Sequence, residues 1–301
     1  MKLMTTLPSY VLITPARNEA KLIELTIKSV VAQTVRPLKW VIVSDGSTDG
    51  TDDIVQKYVT QYPWIELLKM PERNERHFAG KVLGFRAGYQ RVKQLHYDVV
   101  CSLDADISFD QEYFAFLLQK LAGDPKLGLV GTPFKDSSVS YDYRFVSIEH
   151  VSGACQVFRR ECFEQIGGYV AARAGAIDRI ANIASRMEGW KTRTFTGKFY
   201  VHHRELGSAQ GGLLRSSFRD GIKDYSVGTH PVWMLFRVSY KVGKKPYIIG
   251  AVALAWGYVR SYLQGNERPI AWKLVEHNRR EQMQRLKRFL TGDKVRAYFV
   301  G

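Results

Sequence analysis

Two rhythms of apolar residues alternate along the first hundred positions of this chain. Tyr10-Val11-Leu12-Ile13 and Trp40-Val41-Ile42-Val43 are short unbroken apolar runs, the pattern of strands buried on both faces. Between them, residues 21–34 place Leu22, Ile23, Leu25, Ile27, Val30 and Val31 at roughly helical spacing. The same reading predicts helices near 51–61 and 80–94, and strands at 65–68 and 98–103. Strand and helix in turn predict an α/β fold, a mostly parallel central sheet with flanking helices. In such sheets ligands bind beyond the carboxyl ends of the strands. The loops Thr14 to Glu19 and Ser44 to Gly50, and the pair Asp104 and Asp106, all fall at such ends and are expected to share one edge. The pattern loosens after Gly131 and tightens again over 153–200. Beyond about residue 207 it turns basic, aromatic and amphipathic.

Composition adds little to this picture, and charge adds a good deal. The 301 residues suffice for one large domain, or a domain with an extension. The three cysteines have no metal-ligand spacing and an odd count, which argues against a disulfide framework and for a reducing, cytosolic setting. Met1 to Ser9 lacks the apolar run of a secretory leader, so none is expected. Residues 1–190 hold 23 Lys and Arg against 22 Asp and Glu, whereas residues 191–301 hold 21 against 7. Nearly the whole net charge of +15 therefore lies in the last third, a segment suited to a polyanionic partner.

Asp104 and Asp106 raise the first chemical question. Residues two apart on an extended backbone point to the same side, where two carboxylates repel. A hard cation resolves the repulsion, because Mg²⁺ or Mn²⁺ is held by one or two carboxylates together with substrate phosphates. The alternative is a solvated strand end carrying two ordinary turn aspartates. In the basic segment, residues 246–259 (PYIIGAVALAWGYV) form a 14-residue apolar stretch, short of the roughly 20 that span a bilayer. Two readings stay open: a buried core helix, or a helix in the membrane interface with Trp233, Trp256, Tyr258 and Tyr262 at headgroup depth. The stretch 276–290 adds Met283, Leu286, Phe289 and Leu290 on one face and bases on the other, the pattern of a membrane-surface helix. Nucleic acid would use the same charge, but apolar aromatic patches fit an anionic membrane surface better, so no nucleic-acid partner is expected.

Taken in order, PARNEAKLIELTIKSVVAQT, VIVSDGSTDGT, SLDAD and SGACQVFRRECFEQIGGY resemble the inverting family-2 glycosyltransferases of the GT-A fold, over roughly residues 9 to 205. The resemblance implies a catalytic domain at 1–206 and a basic amphipathic helical extension at 207–301. It implies that Pro15, Ala16, Arg17 and Glu19 pack on the nucleotide of a nucleotide-sugar, and that Asp45 meets its base. Lys81 would meet base or phosphate, Asp104 and Ala105 the ribose or sugar, and Gly153 the sugar and acceptor. Asp106 would be the main ligand of Mn²⁺ or Mg²⁺, with a histidine from the pair His202 and His203. Asp178 would be the general base, eleven residues before Gly189-Trp190 as in the family pattern, although Ile177 replaces the family's usual acid. Asp178 also suits the cap of a helix over 179–189. Members with such tails commonly build lipid-linked glycans, implying a UDP-sugar donor, a polyprenyl-diphosphate-linked saccharide acceptor and a place on the cytoplasmic face of the cell membrane. Two further readings remain: a polyprenyl-phosphate glycosyltransferase, and a catalytically degenerate nucleotide-sugar-binding component of an assembly complex.

Overall fold

The computed structural model describes residues 6–72, 79–135, 147–204 and 212–291. The expected boundary between residues 206 and 207 lies outside them. The first half alternates as the apolar rhythm requires: β1 (Tyr10–Ala16), α1 (Ile23–Val31), β2 (Lys39–Asp45), α2 (Thr51–Val59), β3 (Ile65–Met70), α3 (Ala79–Val92) and β4 (Val99–Leu103). There follow β5 (Ile107–Phe109), α4 (Tyr113–Gly123), β6 (Leu127–Gly131), β7 (Phe134–Lys135), β8 (Cys155–Arg159), α5 (Arg160–Gln165), α6 (Ile177–Met187), β9 (Lys191–Thr194) and β10 (Tyr200–His202).

Seven strands form one sheet in the order β3-β2-β1-β4-β8-β6-β9. All its pairings are parallel except the two made by β8, which runs antiparallel to both β4 and β6. The unbroken apolar runs are explained by burial of both sheet faces. Tyr10, Leu12, Trp40, Ile42, Val99 and Cys101 face one core, while Val11, Ile13, Val41, Val43 and Val100 face the other. Cys101, Cys155 and Cys162 are free thiols within these cores. One glycine sets the position of α3: a Cβ on Gly88 would lie 2.6 Å from a methyl carbon of Ile13. Its absence lets the helix seat against β1, which carries Lys81, in the first turn, to the sheet edge.

Four helices complete the described chain: α7 (Gly212–Ser226), α8 (Pro231–Val242), α9 (Tyr247–Leu263) and α10 (Trp272–Leu290). The stretch 246–259 lies on α9 with one face buried and the other exposed, and Tyr258, expected at headgroup depth, is instead buried with its hydroxyl donating to the Thr229 carbonyl at 2.7 Å. Gly250, Ala251, Leu254, Gly257 and Tyr258 are buried, whereas Ile248, Ile249, Val252, Trp256 and Tyr262 are exposed. The buried side meets α7 so closely that a Cβ on Gly257 would lie 2.0 Å from the Phe218 carbonyl oxygen. The expectation for 276–290 needs correction. Helix α10 turns Leu274, Val275 and Leu286 inward, and Arg186 of α6 grips Glu281 through two bonds of 2.7 and 2.8 Å. Arg285 adds a bond of 2.9 Å to Glu149. Of the four residues named on that face, Leu286 is buried and Met283 half-buried, while Phe289 and Leu290 stay exposed, so the face is divided between protein and solvent.

Candidate functional site

The loops after β1 and β2 are laced together by their own polar side chains. Asn18, in the left-handed region at φ 56°, accepts from the Thr48 amide at 2.9 Å, and the Asn18 amide donates to Ser47 Oγ at 3.1 Å. The Glu19 amide donates to Thr51 Oγ1 at 2.8 Å, and the Ala20 amide to Asp49 at 3.0 Å. The small polar residues of DGSTDGT thus brace the first loop, leaving Pro15, Ala16, Arg17, Glu19 and Asp45 at one sheet edge. Asp45 is buried at the end of β2.

Beside this edge opens a cavity of about 400 Å³ whose wall includes Lys81, Asp104, Gly153, Asp178, His202 and Lys223. Lys81, Asp104, Gly153 and Asp178, 97 positions apart from first to last, are thus brought round one space. Among the described residues, the β1 and β2 loop positions and Asp106 are not part of that wall, but Asp106 stands directly behind His202. Lys81 forms an ion pair with Asp104 and donates to the Gly153 carbonyl at 2.9 Å, tying α3 to the turn before β8. Burial pushes the Asp104 carboxyl up, Lys81 opposes that rise, and the like charge of Asp106 adds to it. A Cβ on Gly153 would press to 3.0 Å from Cβ of Asp178, so the glycine lets the catalytic candidate approach the turn.

Asp178 is not a helix cap. Helix α6 begins at Ile177 and its cap is Ala176, in the left-handed region at φ 62°, which puts Asp178 inside the first turn. There a carboxylate is favoured by the helix dipole. Ile177, in the place of an acid, is buried in the core beneath α6. His150 Nε2 stands 3.6 Å from Asp178 Oδ2, and burial holds this imidazole below its ordinary pKa, a direction reinforced by Arg179, Arg186 and Arg285 and opposed by Asp178.

The histidine pair is split. His203 shares a hydrogen bond of 2.7 Å with Ser108. His202 lies 2.7 Å through Nδ1 from the Arg204 carbonyl, an atom that can only accept, so Nδ1 is the protonated nitrogen. Its Nε2 lone pair then faces Asp106 Oδ1 at 3.7 Å. That oxygen is buried and has no hydrogen-bond partner. An orphaned carboxylate oxygen beside an imidazole whose other nitrogen is anchored on a carbonyl fits a divalent cation. No group of three or more His, Cys, Asp or Glu side chains among the described residues is arranged to hold a metal. Asp106 and His202 thus supply two ligands and leave the remaining positions to phosphate oxygens or water, as Mg²⁺ and Mn²⁺ sites do.

Three residues near this site escaped the sequence reading: His150, Lys223 and Arg204. Arg204 pairs with Glu19, and its Nε lies 3.4 Å from Asp106 Oδ2. No motif signals it, since the contact joins residues 185 positions apart.

The chain is similar in sequence and in fold to known glycosyltransferases. The family model described as glycosyl transferase family 2 matches residues 11–179, more than half of the chain. A poly-beta-1,6-N-acetyl-D-glucosamine synthase of Staphylococcus aureus is 31% identical over 136 residues, which are 45% of this chain and 31% of that protein. The chain thus spans less than two thirds of the length of the curated relatives it matches. Among solved structures, mannosyltransferase PcManGT from Pyrobaculum calidifontis in complex with GDP-Man and Mn²⁺ superposes with a TM-score of 0.60 at 20% identity, covering 98% of this chain and 83% of that one. S. aureus TarS 1-349 in complex with UDP-GlcNAc gives 0.54 at 14% identity, covering 93% and 92%. At these identities the likeness concerns the fold, which is the GT-A fold.

Proposed function

The chain belongs to glycosyl transferase family 2, and from that premise we propose that it is an inverting glycosyltransferase. In this reading it moves a sugar from a nucleotide-sugar, with UDP favoured, to a hydroxyl of a polyprenyl-diphosphate-linked saccharide during surface polysaccharide synthesis. The observation that carries the reading is the single cavity on which Lys81, Asp104, Gly153, Asp178 and His202 converge beside the braced β1 and β2 loops. Pro15, Ala16, Arg17, Glu19 and Asp45 bind the nucleotide, Lys81 and Asp104 its phosphate and sugar side, and Ala105 and Gly153 leave room for them.

Asp178 accepts the proton of the acceptor hydroxyl as its oxygen attacks the anomeric carbon. The bond from that carbon to the diphosphate oxygen breaks on the opposite face, and the electron pair leaves with the diphosphate. One displacement inverts the centre. Burial lowers the His150 pKa, which weakens its ion pairing with Asp178 and favours a carboxylate available as a base. Asp106 and His202 would hold Mn²⁺ or Mg²⁺, which when bound neutralises charge on the departing diphosphate. The structural neighbour in complex with GDP-Man and Mn²⁺ supports a divalent ion, and the TarS complex with UDP-GlcNAc supports a uridine donor.

The 207–301 extension in this reading rests on the cytoplasmic face of the cell membrane. No helix among the described residues is long and apolar enough to cross a membrane. The exposed side of α9, from Ile248 to Tyr262, is bordered in sequence by exposed Lys244, Lys245 and Arg260, and Leu235 of α8 is exposed as well. An apolar strip bordered by cations suits the interface of an anionic bilayer. A second reading, transfer to a polyprenyl phosphate itself, is favoured by Lys223, a cation contributed to the cavity wall by α7.

One experiment tests both readings. Nucleotide-sugars are screened for hydrolysis and transfer with and without Mn²⁺, on the wild type and Asp178→Asn. Hydroxyl transfer predicts a loss of about 10²- to 10⁴-fold in kcat for the variant. A phosphate acceptor needs little base catalysis, so near-full activity selects the second reading. No turnover of any nucleotide-sugar rejects both.

A further inference from the structure

We propose that Arg204 is an internal cation seated against the metal's carboxylate, so that divalent ion and donor bind by displacing it together. The inference rests on the reading of Asp106 and His202 as metal ligands and adds a residue that the family resemblance did not supply. Glu19 and Asp106 are nearly buried, with 12% and 11% of their side chains exposed, and two such carboxylates need a counter-charge when no ligand is present. Arg204 provides it to both at once: Nη2 on Glu19 Oε2, and Nε at 3.4 Å from Asp106 Oδ2. Burial still raises the Glu19 carboxyl, with Arg204 opposing and Asp106 adding to the rise. The guanidinium serves Oδ2 of Asp106, while Oδ1, on the His202 side, stays without a hydrogen bond.

A divalent ion entering between Asp106 and His202 therefore meets a fixed positive charge on the far side of the same carboxylate. Like charges at that range repel, so the ion alone binds poorly until the guanidinium leaves. Leaving strands Arg204 unless it finds another anion. The donor's diphosphate is one, and its oxygens match the guanidinium fork. Departure also frees Glu19 for the nucleotide. Metal and donor thus remove the same obstacle, and each raises the affinity for the other.

The test is direct Mn²⁺ binding, read from the paramagnetic resonance signal of the free aquo ion, with and without UDP, on the whole chain. The wild type is expected to bind Mn²⁺ weakly alone and about tenfold or more tightly with UDP. Arg204→Gln should bind Mn²⁺ alone about tenfold more tightly than wild type and gain about tenfold less from UDP than wild type does, the remaining gain coming from phosphate oxygens on the ion. Arg204→Lys keeps the charge and should stay near the wild type without UDP. The inference is overturned if Arg204→Gln binds Mn²⁺ alone no better than wild type. It is equally overturned if UDP leaves wild-type Mn²⁺ affinity unchanged, a result that needs no variant to fold. Asp106→Asn separates the two layers. If it binds Mn²⁺ as the wild type does, or if the wild type binds none, the metal reading fails and this inference with it.

Discussion

Asp224 joins the helical extension to α6, and its neutralisation should be strongly destabilising. Its side chain is fully buried on α7, and one oxygen, Oδ1, receives Arg179 of α6 and Arg237 of α8, each at 2.6 Å. Thr229 Oγ1 approaches the same oxygen at 3.3 Å. Asp224→Asn keeps the shape and removes the charge, leaving two guanidiniums without their counter-ion. Breaking a fully buried pair costs about 3–5 kcal/mol. Arg179 and Arg237 are 30% and 31% exposed, so water screens part of the loss. A cost of about 2–3 kcal/mol is therefore expected. In a chain of 301 residues that lowers Tm by about 3–5 °C. Arg237→Gln leaves Asp224 paired with Arg179 and should cost only about 1 kcal/mol. Because Arg179 directly follows Asp178, the proposed mechanism predicts that the Asp224 variant also loses kcat while the donor KM, which that proposal assigns to groups on α3 and the strand loops, changes little. Differential scanning fluorimetry and steady-state transfer assays measure the two effects. An Asp224→Asn protein melting within about 1 °C of wild type would refute the reasoning, and so would an Arg237→Gln protein destabilised as much.

Two further outcomes follow from the same geometry. Ile249→Glu on the exposed side of α9 should weaken sedimentation with anionic phospholipid vesicles by about 2 kcal/mol, or roughly 30-fold, without changing Tm; unchanged binding would rule out this face as the membrane contact. The depressed pKa of His150 means that the unfolded chain takes up a proton more readily as pH falls below the ordinary 6.5. Stability from this group is whole above 6.5 and is lost as pH falls toward the lower folded value. Asp178, Arg179, Arg186 and Arg285 are the charges facing it. Urea midpoints at about pH 7.5 and about pH 5.5 should therefore drop further in the wild type than in His150→Gln.

Local pattern decided the elements, and distant packing decided their partners. Runs such as Val41 to Val43 are apolar at every position because both sheet faces are covered, so strand and parallel pairing were legible without coordinates, and with them the edge at which the β1 and β2 loops meet. The loop chemistry of DGSTDGT was legible for the same reason: short polar side chains bond their own neighbourhood. No periodicity, however, says that β8 enters the sheet antiparallel between β4 and β6, since either direction buries the same residues. Asp104 and Asp106 look alike in sequence, yet the fold gives one to Lys81 and the other to Arg204 and His202. Adjacent histidines differ only in what stands opposite them, Asp106 for one and Ser108 for the other. The helix over 276–290 has an amphipathic face that chemistry alone could spend on lipid or on protein. It is divided, with Leu286 buried and Phe289 and Leu290 exposed, and Arg186 and Glu149 hold the helix in place through Glu281 and Arg285. A charge pattern along a chain states what a surface can bind, and proximity across 95 or 136 residues of sequence states which partner it has.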